Sequence, residues 1–595
     1  MRLKTICTLL VVSLGYGCSC DEQTIAVEYR PAAEQLLRAS MALRGVRPSL
    51  EEFQQVETNP DALGDIIDTW LSGEAFGQTI RDMHAEQLKF RSDLYDDIPP
   101  ALGSLAYSNR YEMVEAIFEG PLVLVEDIVR SGQPYTEIVT SSTLRTNAVG
   151  SDLWGTPFEP NGAEWQSYTP TDGRPAWGVL SDNAMWLRHV SNGGNYQRAR
   201  ANAVAEALLC ESFLTRDIPL SDDVDLSNDL EVANALKDQA ECVACHQSLD
   251  PLGGFLSGFL SRAPPGAVRD ININSEGCLP VKDMDLNNLN SPRAIIDGAL
   301  CYPLEMWLGS LEIPEEFQNL NPLNEWERVD LRAPGYYGMG TDQSQLGSYI
   351  AQDPRFLACT VKRFYSYLTQ TDMDAMPLQT QGELLKVFEE SGLDARELAK
   401  AVVLSEPFKA KALSDGRDVV SLQSIRPEQY ARFIEDLTGF KWIVDLDGLP
   451  NPECPDANCF GEANLAVSDD FGFRIMAGGM DGFRSLSPTH TVTPTKVLVM
   501  GKYAAEAAGF VVQVDENFSS FFTQVSKDTT DETAIRSQLQ ELHLRILGES
   551  VLADSESITD TYELFEAALS NHGKAEDAWK VVLTAMFQDP AVMFY

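Results

Sequence analysis

Glu241-Cys242-Val243-Ala244-Cys245-His246 is the segment of this 595-residue chain whose residue types and spacing point most directly to chemistry. In the spacing C-x-x-C-H, two thiols form thioethers with the vinyl groups of a haem and the adjacent histidine turns back to coordinate iron. Two intervening residues bring both sulfurs to one porphyrin edge at the start of a helix, and the next side chain then points at the ring centre. The reading is one covalent haem c, held by Cys242, Cys245 and His246, with His246 as an iron ligand. Three other readings use the same residues. A thioredoxin-like pair prefers a strand before Cys242 in a βαβ setting, whereas an acidic helical run precedes it here. A structural zinc site needs a fourth ligand, and no second C-x-x-C or paired histidine supplies one. A plain disulfide between the two cysteines is the third.

The opposite face of the iron has several candidates. Met339 is the first choice as distal ligand, because Gly335-Tyr336-Tyr337-Gly338-Met339-Gly340 is an aromatic, glycine-rich loop downstream of the motif. Met306 and Met284 are alternatives, and His189 would give bis-histidine ligation with a lower potential. An open sixth position is the one case that favours catalysis at iron. Elsewhere the chain has no Ser-His-Asp order, metal-ligand histidine pair, phosphate loop or nucleotide fingerprint. No catalytic residue is therefore assigned. Ala477-Gly478-Gly479-Met480-Asp481-Gly482 reads as a tight loop rather than a cofactor cradle.

The elements that must position the motif are helical. Leu36, Leu37, Met41 and Leu43 are spaced as in a helix over 33–44, and Ser49 with Glu52 forms a capping box for the next one. Leu63, Ile66, Ile67, Trp70 and Leu71 make the stripe of a helix lying on a core. Similar patterns run over 111–118 and 122–129. Residues 140–178, rich in Gly, Pro, Asn, Thr and Trp, read as an ordered loop region. Helical order resumes over 183–190 and 198–213, and 223–241 is an acidic approach to the cysteines. Pro264-Pro265-Gly266 marks a break, and further helical units are expected over 346–413 and 427–595. Residues 542–548 echo 37–45, a weak sign of internal duplication. The expected fold is mainly α: a multi-domain helical protein with an embedded single-haem c-type module. Its parts are a signal segment over 1–20, an N-terminal helical domain over 26–139, a loop region and haem module over 140–262, a helical module with an irregular insert over 263–413, and a C-terminal helical domain over 414–595.

Lys and Arg number 45 against 89 Asp and Glu, a formal net charge of −44. Such a chain is no partner for nucleic acid. The acidity gives either a solvated surface or a face that steers a basic redox partner. Met1-Arg2-Leu3-Lys4, an apolar run over 6–14 and Gly15-Tyr16-Gly17-Cys18-Ser19-Cys20 form a secretory signal, too short in its apolar part to span a bilayer. Cys18 after Gly17 resembles a lipoprotein processing site and is a candidate lipid anchor, with plain cleavage near Cys20 as the alternative. The expected location is the cell envelope, periplasmic or membrane-anchored, where disulfides form. Beyond the signal and the haem motif six of the eleven cysteines remain. Proximity pairs Cys454 with Cys459 and Cys278 with Cys301, leaving Cys210 and Cys359 as a long-range candidate, among fifteen arithmetical connectivities.

Cys242-Val243-Ala244-Cys245-His246-Gln247-Ser248-Leu249-Asp250-Pro251-Leu252-Gly253 resembles the C-x-x-C-H-x-x-x-D-P-[IL]-G signature of the planctomycete-type cytochrome c proteins, large exported proteins of several bacteria. Pro134-Tyr135-Thr136-Glu137-Ile138-Val139-Thr140 resembles that group's P-x-T-E-[IL]-[VL]-T segment. Residues 42–49 resemble its opening helical module, 198–214 the helix before the haem, and 353–367 the module after it. The resemblance covers about two thirds of the chain. It departs after Asp-Pro, where Gly254-Phe255-Leu256-Ser257 replaces the group's usual Phe-Ala-Leu-Glu run. It implies a haem-binding, electron-transferring exported protein. It also implies two roles for Asp250 and Pro251: ordering the segment under the haem, with Asp250 or a nearby carbonyl accepting the His246 N–H, or merely stopping a helix. Electron carrier is thus the first functional expectation. A haem-dependent or helical-module enzyme acting outside the cell, or an envelope scaffold with structural haem, are the others.

Overall fold

The computed structural model describes residues 26–91, 110–189, 197–215, 224–259, 321–445, 462–482 and 485–595, apart from a few positions within those spans, and two short strands, Ala294–Ile296 and Ala299–Cys301. The described residues are mainly helical, with 64% of them in helices and 5% in strands. The expectations that fall on 1–20, with the Cys18 anchor, and on Met284, Met306, Cys278, Cys454, Cys459 and the Cys301 side chain lie outside the described residues.

Local sequence accounts for many element boundaries. The helix Ala32–Arg44 stops at Gly45, which takes φ +67° with its N–H on the Met41 carbonyl. Helix Leu50–Thr58 opens with the expected capping box: Ser49 Oγ accepts from Glu52 N at 3.2 Å and the Glu52 carboxylate accepts from Ser49 N at 2.6 Å. Helix Leu63–Trp70 buries Leu63, Ile66, Ile67 and Trp70. The two apolar patterns over 111–118 and 122–129 join into one helix, Arg110–Arg130, which runs through Pro121. Region 140–178, expected to be a loop region, includes the short helix Ala148–Trp154. It contains the antiparallel pair Leu144–Thr146 and Gln166–Tyr168 and delivers Trp177 into the core.

Most of the buried apolar side chains among the described residues form one cluster that runs from Leu36 to Tyr595. Strand Val27–Tyr29 pairs antiparallel with Ala410–Leu413, and Ser424 bridges to Phe594 beside the last residue. The echoing segments are neighbours in space. Arg47 Nε donates to the Ile546 carbonyl at 3.1 Å, and Gly548, like Gly45 left-handed at a helix end, sits on Leu37. Cys210 and Cys359 form a disulfide across 149 residues, tying the chain ahead of the Cys-x-x-Cys-His segment to helix Pro354–Thr369. Among the described residues no single helix is long and apolar enough to cross a membrane.

Candidate haem-binding site

The acidic approach folds as helix Asp229–Asp238, opened by the Asn228 side chain, which accepts from Leu230 N and Glu231 N. Gln239 breaks it with φ −116° and ψ 106°, and helix Ala240–Phe255 begins at once. The Cys-x-x-Cys-His run therefore occupies the first two turns of a helix. Because the spacings are three and four residues, Cys242, Cys245 and His246 share one face. Cys242 and Cys245 are half-buried thiols outside any disulfide, and the His246 side chain is 29% exposed. The Cys242 thiol is pushed up by burial and by the neighbouring Glu241. That environment keeps the sulfur protonated, the opposite of what a redox-active thiolate requires. A helix rather than a strand precedes the motif, so the βαβ setting of a thioredoxin-like pair is not built here.

Pro251 does not stop this helix. It lies inside, four residues before the end at Phe255, although its ring removes one backbone donor. Tertiary contacts hold the turn: Leu249, Leu252 and Phe255 are buried, Gly253 lies against Pro322, and Gly254 lies so close to Leu323 that a Cβ would stand 2.7 Å from its Cδ1.

Continuation of the helix places Asp250 one turn beyond His246 on the same face. Its carboxylate oxygens lie 3.0 and 3.1 Å from His246 Nδ1. Asp250 is fully buried. Arg198 Nε donates to Oδ1 at 2.7 Å and Trp326 Nε1 donates to Oδ2 at 2.9 Å, while Arg198 Nη2 reaches Glu325 Oε2 at 2.8 Å. Burial alone would push the Asp250 carboxyl up, but hydrogen bonds and charge from His246 and Arg198 outweigh it and hold the group below the usual carboxylate range. A carboxylate can only accept, so the proton of a neutral His246 resides on Nδ1. Nε2 is left with the lone pair a metal ligand needs. Two thiols side by side and an imidazole with Nε2 available are the donor set that covalent haem attachment uses, and the residues present fit that group.

The structure brings together Cys242, Cys245, His246 and Asp250, the acceptor the resemblance implied for the His246 N–H, and it adds Arg198, Glu325 and Trp326 behind them. Met339 is 44% exposed, on a loop anchored by buried Tyr336 against Phe255 at 6.3 Å between ring centroids. Phe255 lies nine residues beyond His246, about 13 Å along the helix at 1.5 Å per residue. His189 is also committed: its Nε2 bonds to the Leu88 carbonyl at 2.9 Å, and burial pushes its pKa down to about 3. Arg198 opens a helix that was expected, but nothing in its spacing marks it as a partner of Asp250. Trp326, in helix Asn324–Arg328, carries no sequence signal.

Residues 477–482 form a tight turn, as expected: Gly478 N and Gly479 N donate back to Ile475 and Arg474, and Thr489 N closes on the Gly478 carbonyl. Among the described residues no group of three His, Cys, Asp or Glu side chains is gathered as a metal site. No family model, curated protein or solved structure matches the chain.

Proposed function

We propose that this protein is an exported c-type cytochrome that binds one haem through Cys242 and Cys245, with His246 as axial ligand, and transfers electrons in the cell envelope. The observation that carries the reading is the pairing of His246 Nδ1 with a buried carboxylate, on the helix face that also presents both thiols. A bound haem supplies one-electron exchange. The protein's own part is to anchor the ring at two sulfurs, to hold the Nδ1 proton of His246 on Asp250, and to keep that carboxylate away from water behind Arg198 and Trp326. The motif face is half-exposed, which suits exchange with a partner protein, and the net charge of −44 favours a partner with a basic face. The signal-like sequence over 1–20, with Cys18 near its end, supports a periplasmic or lipid-anchored location for this activity.

A second reading, haem-dependent catalysis at an open iron position, is favoured by the exposure of Met339 and by the docking of its loop on Phe255. A visible spectrum of protein expressed with haem-attachment machinery, oxidised and reduced and then taken to pyridine haemochrome, tests both. A sharp reduced α-band that persists after denaturation is expected, and its absence overturns haem binding. Met339→Leu separates the readings: loss of a low-spin spectrum assigns Met339 as ligand and favours transfer. An unchanged, ligand-accepting high-spin spectrum favours catalysis.

A further inference from the structure

Behind His246 the hydrogen-bond acceptor is a full negative charge rather than a neutral carbonyl, and its surroundings leave that charge uncancelled. Arg198 is ion-paired with Asp250, which by itself would neutralise it. The other edge of the same guanidinium, however, is taken by Glu325 at 2.8 Å. Asp250, Arg198 and Glu325 together carry one net negative charge, next to the imidazole and largely removed from water. Asp250 is held from three directions. His246 lies on its own helix, Arg198 at the first position of helix Arg198–Val204, and Trp326 in helix Asn324–Arg328. Its four contacts use both oxygens, so the carboxylate cannot rotate away from Nδ1 without breaking a buried bond.

We infer that Asp250 is a positioning residue that gives His246 anionic character and thereby sets a low potential for the haem, with Glu325 preserving the charge of Asp250 against Arg198. This rests on the haem reading above. An axial imidazole whose N–H is drawn toward a carboxylate is a more basic, stronger electron donor to iron, which stabilises the ferric over the ferrous state. The direction of electron flow follows. At a fixed poise this haem stays oxidised longer than one backed by a carbonyl, and once reduced it is a ready donor to a higher-potential acceptor.

The experiment is spectroelectrochemical titration of the haem-loaded full chain as wild type, Asp250→Asn and Glu325→Gln, with pyridine haemochrome on each sample and the iron–histidine stretch of the ferrous form by resonance Raman. Both variants are expected to raise the midpoint potential, and, where the ferrous iron is five-coordinate and the stretch is therefore enhanced, Asp250→Asn also to lower its frequency. Glu325→Gln leaves every Asp250 contact in place, so it reports on charge even where Asp250→Asn fails to fold. In haem-free protein, 15N NMR of labelled histidine should show His246 as the Nδ1–H tautomer in wild type and not in Asp250→Asn. Haem present with potentials unmoved in the variants overturns this inference alone and leaves Asp250 a structural clamp. Wild type without haem overturns the haem reading and this inference with it.

Discussion

Trp326 Nε1 donates to Asp250 Oδ2 at 2.9 Å across 76 residues of chain, and the acceptor is fully buried. Trp326→Phe keeps most of the aromatic volume but takes one donor from a buried carboxylate. An unmet buried acceptor costs about 1–3 kcal/mol. The expected result is a lower urea midpoint with an unchanged denaturant slope. A midpoint equal to wild type would show that water replaces the indole.

The disulfide between Cys210 and Cys359 closes a loop of 149 residues that contains Cys242, Cys245 and His246. Cross-linking a loop of that size removes much of the freedom of the unfolded chain, and losing such a bond typically costs 2–5 kcal/mol, roughly. The paired substitution Cys210→Ser with Cys359→Ser should lower the melting temperature, and reductant should lower that of wild type but not of the variant. Cys359 is 2% exposed, so the wild-type response should be slow until the protein opens.

What could be read from the sequence is what is encoded locally. The capping box at Ser49 and Glu52, the stripe from Leu63 to Trp70, and the placing of Cys242, Cys245 and His246 on one helical face all depend on neighbours within four residues. Pro251 was open to two readings because its local effect, a missing N–H, argues for a stop. The helix continues only because Pro322 and Leu323, some seventy residues on, press against Gly253 and Gly254. Arg198 and Trp326 are illegible for the same reason: their roles arise from contacts 52 and 76 residues away. The continuous core joining Leu36 to Tyr595 is likewise a tertiary fact that no window of sequence contains.

Gly548 tests one feature that was partly legible, the echo of 37–45 in 542–548. Its φ is +74°, and a Cβ there would stand 3.2 Å from Leu37 Cδ2. Gly548→Ala combines left-handed strain with crowding of the N-terminal helix, together about 1–2 kcal/mol. Gly573, also left-handed at φ +77° but with nothing within 4 Å of its Cβ, is the control. Gly573→Ala should cost only the backbone part. Equal losses at the two positions would mean that the contact with Leu37 contributes nothing.

His84 gives the fold a pH dependence whose sign is fixed by burial. The ring is 1% exposed, with Nδ1 2.7 Å from the Ile80 carbonyl and Nε2 2.7 Å from the Tyr135 hydroxyl. A neutral ring satisfies both, donating from Nδ1 and accepting the Tyr135 proton at Nε2. Burial pushes its pKa down from 6.5 to about 4. Between those values the unfolded chain binds the proton and the folded chain does not, so stability is fully present above about pH 6.5 and is lost as pH falls toward 4. The full loss is on the order of 3 kcal/mol. Glu86, raised to about 7 by burial, and Asp182, raised to about 6 by burial, act in the opposite sense, since their folded forms keep protons that the unfolded chain releases. The measurement is therefore a difference: unfolding free energy from pH 7 to pH 4.5 in wild type and in His84→Gln. The variant is expected to be less stable at pH 7 and to lose less on acidification. Parallel curves would show that His84 accepts its proton without opening the core, and that Tyr135 turns to let it.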